Sequence, residues 1–578
     1  MYDRFPYIAS GSRDECAMGW PAVCETIYSK VRTGIDVVIE CYPGVFIEEI
    51  ERELAVAIPE ATLLCTLELL RPAEAIDRML APCLGDDPVF GLMNSIEIED
   101  FFDPEKLAAV RSRCTKAERP TILFGPGASL VCAQPSFLVY ADMARWEIQM
   151  RQRRNEIGNL GVNNLTERPS LKYKRAFFVD WRAADRLKVR LLDKIDLLLD
   201  TNLPGEPKAI AGDVFRRSLA GMVTRPFRVV PFFDPGPWGG HWMERVCGLP
   251  VGDTPNHAWC FDCVPEENSL LLGFGDVRVE VPSIDLIFSH PEALLGRDIY
   301  SRFGAEFPIR FDFLDTVGGG NLSLQVHPLT SYIREHFGMD YTQDESYYML
   351  DAEKGACVYL GLRDGVDREA MLRDLQRAQD GNFDFPAEDY VNRFLARKHD
   401  HFLIPAGTIH CSGKDSMVLE ISATPYIFTF KLWDWGRLGL DGRPRPIHLR
   451  HGAANIQWNR TTQWVERSLI NRVEPVAAGD GWREERTGLH ELEFIETRRH
   501  WFTGTVPHDT QGTVHVLNLI EGEQAVVESP NASFAPFIVN YAETFIVPAS
   551  VGPYTIRPCG KDKGREYATI EARVRAVS

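Results

Sequence analysis

The chain has 578 residues, and 63 lysines and arginines against 82 aspartates and glutamates leave it a formal charge of −19. That acidity excludes general nucleic-acid binding, which needs basic side chains to neutralise phosphates. At 45% hydrophobic and 25% charged, with no apolar run of about 18 residues and no basic-then-apolar leader, the chain reads as soluble, without membrane helix or signal peptide.

Thirteen dispersed cysteines fit a reducing, cytoplasmic setting, and Cys260-x-x-Cys263, lacking a second pair, reads as buried thiols. Length alone predicts three or four units at roughly 150 residues each. Residues 1–224 alternate short apolar runs with helical patterns. The expected strands are 35–44, ATLLCTLELL, PTILFGPGASL and SFLVYADM, with a helix over 46–58, the signature of a parallel α/β sheet.

The turn after the first of these strands, Tyr42-Pro-Gly44-Val-Phe, stands where phosphate-binding loops stand. It lacks their Gly-Lys-Ser/Thr ending and carries Glu48 and Glu49 instead. Residues 145–190 hold 12 basic and 5 acidic side chains, the one positive stretch in the chain. LVYADMARWEIQMRQRRNEIG resembles the strand and Arg-rich helix of nucleoside and nucleotide kinases. The resemblance implies a degenerate kinase-like domain in which Arg151, Arg153 and Arg154 are remnants of a phosphate lid. The plain alternative is that they solvate an exposed helix face. The glycine turn of FGPGASL could hold a nucleotide phosphate or another anion on its backbone N–H groups.

From about residue 225 the texture becomes β-rich: SLLLGF, VRVEV, IRFDFL, LSLQVH, SYYML and ACVYLGL. Two helical patterns, DREAMLRDLQRAQ and AEDYVNRFLARK, interrupt it over 366–398. Strands resume at HFLIPAGTIH, MVLEIS and YIFTFKLW. A Pro/Arg-rich linker at 442–452 leads to a last β segment carrying LHELEFIE, GTVHVLNLIEG, AETFIVPAS and YTIRP, expected to be a compact barrel or sandwich. The fold class is therefore multidomain α+β: an α/β domain over 1–224, a β domain over 225–450 with a helical insertion, and a second β domain over 451–578. The first carries 28 basic and 33 acidic residues, the remainder 35 and 49.

Asn321-Leu-Ser-Leu-Gln-Val-His-Pro328 is the most informative segment. In a strand, Ser323, Gln325 and His327 share one face and Leu322, Leu324 and Val326 the other. Glu345 begins another alternating run, and His410 follows the Pro405-Ala-Gly407 turn. Two imidazoles, a carboxylate and an amide oxygen make an N/O donor set for Zn²⁺ with a position left for substrate. Each could instead be an ordinary hydrogen-bonded group inside a barrel.

These segments, with PWGGHW (237–242), PEALLG (291–296), FPIRFDFLD (307–315) and FKLWDWGR, resemble class I mannose-6-phosphate isomerases. The likeness is strong over about 228–450 and looser over 451–575. It implies two cupin-type barrels, one Zn²⁺ per chain held by Gln325, His327, Glu345 and His410, and a C-terminal barrel without metal. There His515 stands with no acidic or His partner at ligand spacing. The implied reaction interconverts mannose 6-phosphate and fructose 6-phosphate through a cis-enediol. The family's catalytic Arg aligns with Lys431, and its Lys-Thr before the ligand Glu becomes Gln343-Asp344. A family Lys becomes Asp312, with Arg310 as substitute. Ser323, Arg310, Lys414 and Arg363 are the candidates for substrate contact. Asp434 and Arg437 read as a structural pair. The competing reading is a non-catalytic phosphosugar- or nucleotide-sensing protein that keeps the metal site.

Overall fold

The computed structural model describes residues 1–31, 37–114, 120–132, 134–252, 254–381, 383–488, 490–562 and 564–575. Residues 35–36 of the first expected strand and Leu489 of LHELEFIE lie outside them. The chain divides into two compact units. One comprises Tyr7–Met222 and Glu266–His290; the other comprises Met1–Pro6, Val223–Pro265 and Pro291–Ser578.

The first unit is built on a seven-stranded sheet. Five parallel strands run in the order Thr62–Cys65, Thr121–Gly125, Val37–Cys41, Phe137–Asp142, Leu197–Asp200. Lys208–Ala211 and Cys16–Met18 extend it antiparallel. Val37–Cys41, Thr121–Gly125 and Phe137–Asp142 are buried throughout, which is why they read as unbroken apolar runs, not as alternations. The helix Ile47–Ala57 turns Ile47, Ile50 and Leu54 inward, at helical spacing.

Residues Ser269–Phe274 and Val277–Pro282, expected to belong with the β domain, form a hairpin in this unit, and Ser269–Phe274 pairs with Tyr7–Gly11. Gly275, at φ 61°, makes its two-residue turn with Asp276. The unit boundary therefore does not run once at residue 224; the polypeptide returns at Glu266 to supply a hairpin and the helix Ile284–Ser289.

The second unit is antiparallel β throughout its sheets. Its first half pairs a six-stranded sheet, ending in His401–Ile404 and Phe232–Asp234 with Glu345–Ala352, Ser416–Ala423, Ile309–Asp315 and Trp259–Cys263 between them, with a five-stranded sheet. The latter runs Val391–Leu395, Cys357–Leu362, His410–Ser412, Leu324–Val326, Phe430–Trp433. DREAMLRDLQRAQ is helical as expected, over Arg368–Gln379, with Asp367 capping Glu369 and Ala370. AEDYVNRFLARK is not: it makes a short turn of helix, Ala387–Tyr390, and then the edge strand Val391–Leu395. Backbone pairing with Cys357–Leu362 overrides the helical spacing there.

The second half carries a six-stranded sheet and a four-stranded sheet. Phe502, Leu517, Phe545, Tyr554 and Tyr567 are among the buried residues of its core. Cys260 and Cys263 are buried free thiols. Among the described residues, no helix is long and apolar enough to cross a membrane.

Candidate metal centre

In the strand Leu324–Val326, Gln325 pairs with His410 on one side and with Lys431 on the other. Residues paired across strands share a face, so one row of the five-stranded sheet presents an amide, an imidazole and an amine. His327 lies two residues beyond Gln325. Glu345 opens a strand of the six-stranded sheet. The side chains of His327, Glu345 and His410 are at most 1% exposed.

His327 Nε2 lies 3.1 Å from Glu345 Oε2, and His410 Nε2 lies 2.7 Å from Glu345 Oε1. The Gln325 amide stands 3.2 Å from His410 Nε2, and the Ser323 hydroxyl donates to Gln325 Oε1 at 3.2 Å. On the far side of each ring, Nδ1–H donates to a backbone carbonyl: His410 to Thr408 at 2.9 Å and His327 to Phe428 at 3.3 Å. A carbonyl can only accept, so both Nδ1 atoms carry the proton and both Nε2 lone pairs point at the carboxylate. His327 Nε2 and Glu345 Oε1 find no hydrogen-bond partner. Acceptors turned on one another in a dry interior need a shared cation. The residues fit a divalent metal with N/O preference.

Burial alone would raise the Glu345 carboxyl; positive charge at His327 and His410 would hold it well below the usual carboxylate range, and between neutral rings a shared cation supplies that charge. Beside it stands Glu420, in the Ser416–Ala423 strand, which the sequence did not mark out. It accepts from Gln343 Nε2 at 3.1 Å, Arg310 Nη2 at 2.9 Å and Ser422 Oγ at 2.9 Å. Burial, then the negative Glu345, push Glu420 well above the usual range despite Arg310. Its only sequence signal is alternation in MVLEIS, where an acid interrupts apolar residues in a fully buried strand.

Arg310 is buried and clamped between Asp312 and Glu420, over the ring of Tyr426 at 5.0 Å. It stands in the site wall with its charge answered by two carboxylates. Lys431 is only partly exposed; burial, then Arg445, lower its amine to about 7. Asp434 accepts from Arg437 at 2.7 Å and from Arg445 at 2.8 Å, so two guanidiniums share one carboxylate near Lys431. Lys414 and Arg363 are exposed. Lys414 sits in the turn after His410–Ser412, four residues and roughly 13 Å of strand beyond His410. Arg363 Nη1 donates to the Glu388 carbonyl at 2.8 Å. The structure thus gathers Ser323, Gln325, His327, Glu345, His410, Arg310 and Lys431 and leaves Lys414 and Arg363 on surface turns.

His515 corrects the sequence reading. It has an acidic neighbour after all, with Nδ1 3.5 Å from Glu571 Oε1, because Glu571 lies 56 positions away and only strand pairing brings it near.

The α/β unit overturns two further expectations. Arg151 is neither a lid residue nor exposed: it is fully buried, donates to the Gly44 carbonyl at 3.0 Å and the Thr201 carbonyl at 2.7 Å, and pairs with Glu147. Its guanidinium covers the Phe46 ring at 4.0 Å. Arg154 pairs with Glu147 and Glu156, and Arg153 is exposed. In FGPGASL, the anion on the backbone N–H groups is the chain's own Glu40. It accepts from Gly127 N at 2.6 Å, Ser129 N at 2.9 Å and Ser129 Oγ at 2.7 Å.

A family described as "Domain of unknown function (DUF8485)" matches residues 19–224. Mannose-6-phosphate isomerase ManA of Bacillus subtilis (strain 168) is 25% identical over 313 residues, 53% of this chain and 89% of the relative. The probable mannose-6-phosphate isomerase GmuF of the same organism is 21% identical over 336 residues, 58% of this chain and 96% of the relative. A crystal structure of mannose 6-phosphate isomerase from Bacillus subtilis covers 61% of this chain and all of its own, at 17% identity and a TM-score of 0.49.

Proposed function

We propose that the β unit is a metal-dependent aldose–ketose isomerase acting on mannose 6-phosphate and fructose 6-phosphate. The observation that carries this reading is the convergence of His327 Nε2, His410 Nε2 and the Glu345 carboxylate, with Gln325 alongside, in a chain similar to curated mannose-6-phosphate isomerases. Gln325, His327, Glu345 and His410 would hold one Zn²⁺ per chain, which supplies Lewis-acid stabilisation of charge on the substrate oxygens.

The remaining work falls to side chains. Lys431 stands across the strand pair from Gln325. An amine at about 7 divides between its neutral and charged forms at physiological pH, as a group that takes a proton and returns it must. Its Nζ removes the C2 proton and delivers it to C1. Glu420 holds Arg310 and Gln343 in the wall beside Glu345. Arg437 and Arg445, together outnumbering Asp434, keep the field on the Lys431 side favourable to a phosphate. Ser323 fixes the Gln325 amide.

The test is isomerase turnover by the purified full chain with added Zn²⁺, measured from both sugar phosphates. Interconversion is expected; bound zinc without turnover of either substrate overturns the reaction. One observation favours the second reading, a phosphosugar sensor: Arg310, the substitute for a family cation, is already clamped by Asp312 and Glu420. Calorimetric binding without turnover would select it.

A further inference from the structure

The C-terminal sheets hold a second buried cluster that the isomerase reading does not use. His500, in Ile495–Phe502, and Glu571, in Tyr567–Val574, belong to the six-stranded sheet; His508, in Val506–Asp509, belongs to the four-stranded sheet. One ligand atom from each can be chosen so that all three lie within 4.8 Å of one another. His508 Nδ1 is 3.2 Å from Glu571 Oε2, and the rings of His500 and His508 are 4.4 Å apart. All three side chains are at most 3% exposed. His515 approaches the other oxygen of Glu571 at 3.5 Å and bonds the Tyr554 hydroxyl at 3.0 Å.

This grouping is costly as it stands. His500 Nδ1, His508 Nε2 and His515 Nε2 are buried and find no hydrogen-bond partner. Each such atom forfeits the hydrogen bond that water would give it. Glu484 Oε1, 3.6 Å from His500 Nε2, orients that ring with Nδ1 free, as an outer-shell carboxylate orients a ligating imidazole. Arg573 Nε, 3.2 Å from Glu571 Oε1, balances part of the carboxylate charge and leaves Oε2 on the side of His508.

We propose that His500, His508 and Glu571, with His515 as the neighbouring imidazole, form a second site for a divalent transition metal of the Zn²⁺ class. The site is closed, drawn from both sheets, and structural: the ion ties the four-stranded sheet to the six-stranded one. It does not rest on the isomerase reading, since it shares no residue with the first centre.

The test is zinc content by mass spectrometry of the purified full chain, beside the variants His327→Gln/His410→Gln and His500→Gln/His508→Gln. Two equivalents are expected in the parent chain and one in each double variant. In the His327→Gln/His410→Gln background, Co²⁺ alone should give the visible absorption of a tetrahedral site, and His500→Gln/His508→Gln should abolish it. No zinc and no Co²⁺ absorption in the His327→Gln/His410→Gln protein would overturn the proposal and leave an imidazole–carboxylate network. If either double variant fails to fold, stoichiometry of the parent chain decides: two equivalents support the second site, one removes it. Failure of the first centre reads differently, as one equivalent that His327→Gln/His410→Gln does not displace.

Discussion

Buried charges in the α/β unit meet their opposites, whereas the β unit, beside ordinary pairs such as Arg310 with Asp312, also turns acceptors on one another. In the α/β unit, Lys188 Nζ lies 2.8 Å from Asp142 and 2.9 Å from Asp285, with the Tyr42 ring at 4.6 Å. Arg145 pairs with Asp185, which also accepts from the Tyr42 hydroxyl at 2.8 Å. Arg151 is held by Glu147, and Glu40 by amides. Cation meets anion and donor meets acceptor. In the β unit, acceptors converge on acceptors: His327 Nε2 and His410 Nε2 both face Glu345. Opposite groups that satisfy each other hold a fold together; like groups held together against their own repulsion mark a place for something else. The contrast also explains why glycine turns at the carboxyl ends of the parallel strands, where open α/β sheets commonly hold ligands, are answered from within here.

The strongest test of this contrast is to remove a converging acceptor. His410→Ala should empty the first centre of zinc and cut isomerase turnover by at least about 10³-fold, several kcal/mol of lost charge stabilisation. Retained zinc and turnover would place the metal elsewhere. Lys431→Met should leave zinc content unchanged and lower kcat by about 10²–10⁴-fold, the range for loss of a proton-transferring group. A change confined to KM would assign Lys431 to binding.

The α/β unit should respond in stability, not chemistry. Lys188→Met strands Asp142 and Asp285 without their cation and should destabilise that unit by about 3–5 kcal/mol in denaturant unfolding, with turnover per folded molecule unchanged. Glu40→Ala removes the acceptor for Gly127 N, Ser129 N and Ser129 Oγ and should cost about 1–3 kcal/mol. Unchanged stability would mean those donors find solvent.

The smallest effect is a pH dependence in the β unit. Burial, then Arg499, depress the His401 imidazole to about 3, against about 6.5 in an unfolded chain. Between those values the unfolded state binds the extra proton, so stability rises with pH. The contribution is complete above about pH 6.5 and is lost as pH falls toward 3. His401→Gln should flatten the acid limb of the stability profile by one proton and leave neutral stability little changed.

Much of the first centre was legible from residues. Ser323, Gln325 and His327 alternate with leucine and valine, and a polar row in an otherwise apolar strand has one economical place, an interior that binds something. Glu420 was less legible because a single acid in MVLEIS says nothing of Arg310 or Gln343 until the strands Ile309–Asp315 and Ser416–Ala423 pair. His515 illustrates the same limit, since its acidic neighbour is on the last strand. AEDYVNRFLARK fails for a related reason: helical spacing is local, whereas the edge of a sheet is not.

By itself, then, the sequence determined the two textures of this protein, the alternation that puts a polar row inside a strand, and the shift of most negative charge to the β-rich part. Side-chain period and composition are properties of neighbouring residues, and they survive without knowledge of the partner strand. Tertiary structure alone decided that Glu266–His290 belongs with the α/β unit, that Arg151 and Glu40 answer their own glycine turns, and that His500, His508 and Glu571 meet. Each of these depends on which strand lies beside or across from which, set by pairing between segments that are distant in the chain.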